Sequence, residues 1–92
     1  MRTQLYIDGT WRDGVGDFAV ADPATGDEIA RFAAASVSDC LDAVDAADRA
    51  LPSWRETPPR ERAEILRRTF EILTDEAETL ATLIVRENGK SW

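Results

Sequence analysis

The chain contains no histidine. A Ser-His or Cys-His nucleophile pair and a His-ligated zinc site are therefore excluded within these 92 residues. Cysteine is nearly absent too. Cys40 alone cannot close an internal disulfide, which fits a reducing compartment and sets a cytoplasmic expectation. Positive charge is short, with 11 Lys and Arg against 18 Asp and Glu and a net charge of −7. Non-specific binding to nucleic acid or to an anionic membrane needs the opposite balance, so neither partner is expected. No apolar run approaches the roughly 18–20 residues of a membrane span. The opening M-R-T-Q-L-Y-I-D-G has no apolar core of a secretory signal. Glycine is sparse, and G-V-G at 14–16 has neither a third glycine nor a helix opening behind it. Gly9, Gly14 and Gly16 read as turn glycines, not as a dinucleotide fingerprint.

What is present is mostly helix. The stretch Thr57–Lys90 organises the rest. Thr57 is placed as an N-cap with Pro58 at the first helical position, where its missing N–H costs nothing. Leu66, Phe70 and Leu73 then step by four and three, with Ile65 and Ile72 one heptad apart beside them. Thr74 reads as a second cap, followed by Asp75 and Glu76 in a first turn where carboxylates favour the helix dipole. Ala77, Leu80, Ala81 and Ile84 continue the apolar stripe, and Asn88-Gly89 supplies the stop, Gly89 taking the left-handed conformation.

Upstream, Leu5–Ile7 and Thr10–Arg12 flank Asp8-Gly9, a two-residue hairpin signal, with Trp11 expected to cover what lies beneath the ribbon. Phe18–Val20 and Glu28–Phe32 flank a turn with Asp22, Pro23 and Gly26, a second hairpin. At Ser36 the period changes. Ser36 with Asp39 has capping-box spacing, and Val37, Leu41, Val44, Ala47 and Leu51 lie on one helical face. Pro52 is expected to end this helix, with Trp54 plugging the corner beyond it. Asp39, Asp42, Asp45 and Asp48 recur every third residue, but each step of three turns the helix by about 300°, so they drift round the surface. They read as a solvated acidic face, with Asp45 and Arg49 as an i,i+4 pair. Cys40 beside Asp39 has no group to activate it and is read as a packing or surface residue. Arg60, Glu64 and Arg68 read as a surface charge ladder. Ninety-two residues can make one small domain.

The order L-Y-I-D-G-T-W, D-P-A-T-G-D-E-I-A, D-A-A-D-R-A-L-P-S-W-R, P-R-E-R-A-E-I-L-R-R and E-N-G-K resembles the N-terminal end of the NAD(P)-dependent aldehyde dehydrogenase superfamily. The match covers Leu5 to Lys90, and A-L-P-S-W-R through R-R-T-F-E-I-L is most similar to the succinate-semialdehyde dehydrogenase branch. The resemblance implies an α/β parent in which this segment is two β-hairpins, residues 1–35, and three amphipathic helices, residues 36–92. Together they would form the outer, incomplete part of a Rossmann-type cofactor domain. The parent would oxidise an aldehyde, succinate semialdehyde being one candidate, to the acid with NAD or NADP. A cysteine thiolate would attack the carbonyl and hydride would pass to the nicotinamide. That cysteine, the general-base glutamate and the nucleotide-binding residues of the family lie in sequence beyond Trp92, so no catalytic or cofactor-binding residue is assigned here, Cys40 included.

The partners implied are the remainder of an aldehyde dehydrogenase chain and, for the parent, further copies in a homo-oligomer. Some family members hold a monovalent cation on backbone carbonyls just before the P-A-T-G turn and on a carboxylate after the third helix. Here those positions are Val20, Ala21 and Glu87. Asp22 stands where the family often has Asn, without touching those ligands. Because E-N-G-K-S-W closes with no further element, the chain is expected to be part of that enzyme, inactive and marginally stable alone. The competing expectation is a stand-alone helical module that binds a protein partner through its stripes.

Overall fold

The computed structural model describes residues 1–92. Two antiparallel hairpins lead into three helices: β1 (Leu5–Ile7), β2 (Thr10–Arg12), β3 (Gly16–Ala21), β4 (Glu28–Ala34), α1 (Val37–Glu56), α2 (Pro59–Asp75) and α3 (Ala77–Asn88). The hairpins are separate two-stranded sheets, β1 with β2 and β3 with β4.

Local chemistry accounts for the turns. Asp8 and Gly9 both take positive φ, 52° and 75°, as a type I′ turn requires. Gly26 reaches φ 80° at the end of the second turn. There the Asp22 carboxylate accepts from Ala24 N–H at 2.8 Å. Val20 pairs with Ala30 but Ala21 with Glu28, so Ile29 is the extra residue of a bulge on β4. Tyr6 faces Trp11 across the first hairpin, with ring centroids 4.8 Å apart, and Arg2 lies over the indole. Trp11 therefore covers Tyr6 and not what lies beneath the ribbon. The period of two sets it on the face opposite Leu5 and Ile7, which are half-buried.

The capping box of α1 forms as the sequence indicates. Ser36 Oγ accepts from Asp39 N–H at 3.0 Å, and the Asp39 carboxylate accepts from Ser36 N–H at 2.9 Å. Pro52, in contrast, does not end the helix, which runs on to Glu56. A proline in a helix interior costs about 3 kcal/mol because a carbonyl loses its N–H partner. On this exposed surface water can solvate that carbonyl, and the Ser53 hydroxyl donates to Ala50 O at 3.1 Å in the same turn. Thr57 then closes α1, its N–H reaching Ser53 O and Trp54 O and its hydroxyl donating to Ser53 O at 2.8 Å. So Trp54 lies within the last turn of α1, and Thr57 is not the cap of α2. That role falls to Pro58, with Pro59 at the first helical position.

Thr74 is also not a cap. Its hydroxyl donates to Phe70 O at 2.8 Å inside α2, and α3 starts from Glu76 without a side-chain cap. Gly89 ends α3 in the left-handed region at φ 63°.

These elements enclose no interior. No residue of the 92 is buried. The molecule measures 48 × 33 × 16 Å, with a Cα radius of gyration of 16.8 Å; a compact domain of this length has about 12 Å. The accessible surface is 7304 Å², against about 5,300 Å² for a folded monomer of this mass. The excess of about 2,000 Å² is the size of an obligate interface. The stripes lie open along this plate: Val37, Leu41, Val44 and Leu51 on α1, Leu66, Phe70 and Leu73 on α2, and Ile84 on α3 are all exposed.

Candidate functional site

Two places bring together residues from distant parts of the chain. The first is the end of α3 against the β3–β4 turn. A Cβ built on Gly89 would lie 2.9 Å from Pro23 Cγ and 3.2 Å from Ala24 N, so the helix terminus and the turn are in contact. Val20 and Ala21 lead into this turn at the end of β3, Val20 half-buried and Ala21 exposed. Glu87 is in the last turn of α3, exposed and in no ion pair. The Gly89 contact thus draws the element carrying Glu87 toward the strand end that carries Val20 and Ala21. The sequence signal for this was the pair P-A-T-G and E-N-G-K; the contact between them was not legible from spacing.

The second place is the seam between the first hairpin and α1. Arg12 Nη2 lies 3.0 Å from Asp39 and 3.1 Å from Asp42, while Arg49 Nη2 lies 3.2 Å from Asp8. Arg49 thus pairs with the hairpin turn and not with Asp45, because the turn presents its carboxylate directly to the helix. No three acidic or cysteine side chains converge as a metal site would require, so Asp39, Asp42, Asp45 and Asp48 spread along α1 as the helical angle demands. Cys40 is exposed.

The Asp39 carboxyl is held below the usual carboxylate range, first by the Ser36 N–H donated to it, then by the Ser36 hydroxyl and by Arg12. A lowered carboxylate pKa contributes stability that is present above the unfolded-state value and is lost as pH falls through the folded one. Helix α1 is accordingly expected to fray at its N-terminus below about pH 4. Ser36→Ala removes the other half of the box and should cost about 1 kcal/mol. Amide exchange at Val37–Leu41 across pH 2–6, with the intrinsic rate divided out, checks both effects. A cap whose protection is the same at both ends of that range contradicts the reading.

The charge ladder of α2 forms with a change of partner. Arg67, not Arg60, sits at its centre, 2.6 Å from Glu64 and in contact with Glu71, with Arg68 at 3.9 Å from Glu64. Glu64 is lowered chiefly by the Arg67 hydrogen bond. This exposed cluster is a solvated face.

The glycines do not fit a dinucleotide. Gly9 serves a hairpin turn, and Gly14 is taken up by a close approach of its backbone to the Ala34 carbonyl. The next helix begins only at Val37, so no helix N-terminus stands behind these glycines to receive a diphosphate. No helix is long and apolar enough to cross a membrane.

Comparison with known proteins gives this geometry a context. Residues 11–92 match the model of the aldehyde dehydrogenase family. The chain is 44% identical over 88 residues to N-succinylglutamate 5-semialdehyde dehydrogenase 2 of Caulobacter vibrioides, covering 95% of this chain and 18% of that one. It is 41% identical over 91 residues to the succinate-semialdehyde dehydrogenase [NADP(+)] of Saccharomyces cerevisiae, covering 98% and 18%. Its structure superposes on an NAD-dependent benzaldehyde dehydrogenase from Corynebacterium glutamicum with a TM-score of 0.87 at 30% identity, over 92% of this chain and 19% of that one. The chain therefore spans about a fifth of the length of the relatives it matches. On the match of 82 of its 92 residues, it belongs to the aldehyde dehydrogenase family.

Proposed function

We propose that this chain is the N-terminal portion of an NAD(P)-dependent aldehyde dehydrogenase. In this reading it supports the outer side of a Rossmann-type cofactor domain and carries no chemistry of its own. The observation that carries the reading is the open plate: a segment superposing on about a fifth of an aldehyde dehydrogenase exposes stripes on all three helices and buries nothing. Residues 1–35 are then its hairpin part and residues 36–92 its helical part, and the remainder of the enzyme is the partner that covers the stripes. The assembled enzyme is a cytoplasmic homo-oligomer that oxidises an aldehyde to its acid. Succinate semialdehyde is the candidate substrate, favoured by the yeast relative's name. NAD or NADP, when bound to the parts beyond this segment, accepts the hydride. A monovalent cation on the Val20 and Ala21 carbonyls and the Glu87 carboxylate would tie α3 to the β3–β4 turn, a set of hard oxygen donors suited to such an ion. The Gly89–Pro23 contact supports that placement.

The test is a chimera in which this chain replaces the matching first fifth of the Caulobacter enzyme. The chimera is expected to reduce a nicotinamide cofactor in an aldehyde-dependent manner, and the 92-residue chain alone to give no turnover. A chimera that folds but is inactive contradicts the proposal. Tight, stoichiometric capture of an unrelated protein by the chain alone would favour the interaction-module reading instead.

A further inference from the structure

The first hairpin is fastened differently at its two ends. At its base the backbone is pinned to β4. Ala33 N–H donates to Thr3 O at 2.8 Å, and Val15 N–H donates to Ala34 O at 3.0 Å. Gln4 Nε2 donates to Asp13 at 2.9 Å and closes the base between these two anchors.

Toward its tip no backbone hydrogen bond ties the ribbon to another element, although β1 lies against α1 with Leu5 and Ile7 half-buried. Asp8, in the turn itself, reaches Arg49 of α1 at 3.2 Å, whereas Arg12, opposite Leu5 at the base, reaches Asp39 and Asp42. Between the ribbon and the helix lies a hollow of about 410 Å³, and Ile7 is the one apolar side chain lining it. Arg12 grips both carboxylates through the same nitrogen, Nη2, and its Nε has no partner. The grip is therefore not the paired fork that makes arginine–carboxylate contacts strong. The outer face of the ribbon, Tyr6 and Trp11, is turned away from α1 and adds nothing to the seam.

We propose that residues 5–12 form a strap hinged at Thr3 and Val15, fastened near its base by Arg12–Asp39/Asp42 and latched to α1 at its tip by the Asp8–Arg49 pair. The exposed Asp8–Arg49 pair is weak and is screened once the Debye length falls to a few ångströms, whereas Arg12–Asp39, with its carboxylate largely shielded, is screened much less. Raising ionic strength opens the strap at its tip while β3, β4 and the helices stay formed. The inference stands whether or not the chimera is active; its test needs only that the chimera folds.

Amide hydrogen exchange of the chimera at 20 mM and 500 mM sodium chloride tests it. Exchange at Ile7–Thr10 is expected to speed up about two- to fivefold at the higher salt, the equivalent of one surface pair, with β3 and β4 amides unchanged. Arg49→Gln is expected to raise exchange there at low salt and flatten the salt response, while Asp42→Asn, which loosens only the base, leaves the tip's salt response in place. Rates at Ile7–Thr10 that ignore salt, a salt response shared equally by β3 and β4, or an Arg49→Gln variant that keeps the full salt response would each overturn the strap.

Discussion

Phe70→Ala is expected to destabilise the assembled enzyme by about 3–5 kcal/mol, the cost of removing a ring from a packed core. In the isolated 92-residue chain the same change should stay within about 0.5 kcal/mol, the range of an ordinary surface substitution. The contrast follows from where Phe70 sits. Its period aligns it with Leu66 and Leu73, yet it is 68% exposed in this chain. A ring that touches little cannot lose much. If the remaining four-fifths of the enzyme lies on α2, the ring is enclosed there and its loss leaves a cavity. Urea unfolding of the enzyme, and of the isolated chain at a dilution where sedimentation shows the monomer, gives the two values. Equal small effects in both would mean that α2 faces solvent in the enzyme as well.

Gly14→Ala is the second large effect, expected at about 1–3 kcal/mol of destabilisation in the enzyme, the cost of forcing atoms into filled space. A Cβ on Gly14 would collide with the Ala34 carbonyl and with Ala34 N and C, which are backbone atoms that cannot turn aside. Displacing them breaks the Val15–Ala34 hydrogen bond that anchors the first hairpin to β4. Gly16 provides the control. It pairs with Ala34 in the ladder, and a Cβ there meets nothing within 4 Å, so Gly16→Ala should cost less than about 0.5 kcal/mol. Thermal midpoints of the two variants decide between them. A Gly14 variant as stable as the Gly16 variant would show that the approach relaxes freely.

This pair of glycines also shows what the sequence conceals. Both lie in one loop-like run, D-G-V-G-D, and both read as turn residues. Neither has positive φ; Gly14 is constrained by a strand 20 residues away, and nothing local marks that contact. Local chemistry was legible where the determinants are neighbours. Asp8-Gly9, the Ser36–Asp39 box and the Asn88-Gly89 stop each depend on two to four adjacent residues and formed as their chemistry requires.

Boundaries slipped where two local signals competed. Pro52 carried a stop signal, but α1 had enough helix on both sides, and water for the freed carbonyl, to continue through it. Thr57 and Thr74 carried cap signals, but their hydroxyls were spent on carbonyls one turn back, at Ser53 and Phe70. Arg49 was matched to Asp45 by helical spacing, whereas the hairpin turn brought it Asp8 from 41 residues away. The proposed cation ligands have the same character: Val20, Ala21 and Glu87 are separated along the chain, and only the seat of Gly89 against Pro23 relates them. The apolar stripes were fully legible, and so was the conclusion that hairpins and helices of this size leave them without a partner.

The most direct measurement is a thermal melt of the isolated chain by calorimetry at several concentrations, paired with its sedimentation. An unclosed plate with about 2,000 Å² of surface in excess of a folded monomer's should melt broadly, with a midpoint that moves with concentration as chains associate through the open stripes. A sharp, reversible, concentration-independent transition of the monomer would show that the 92 residues close on an interior of their own, and would contradict the account.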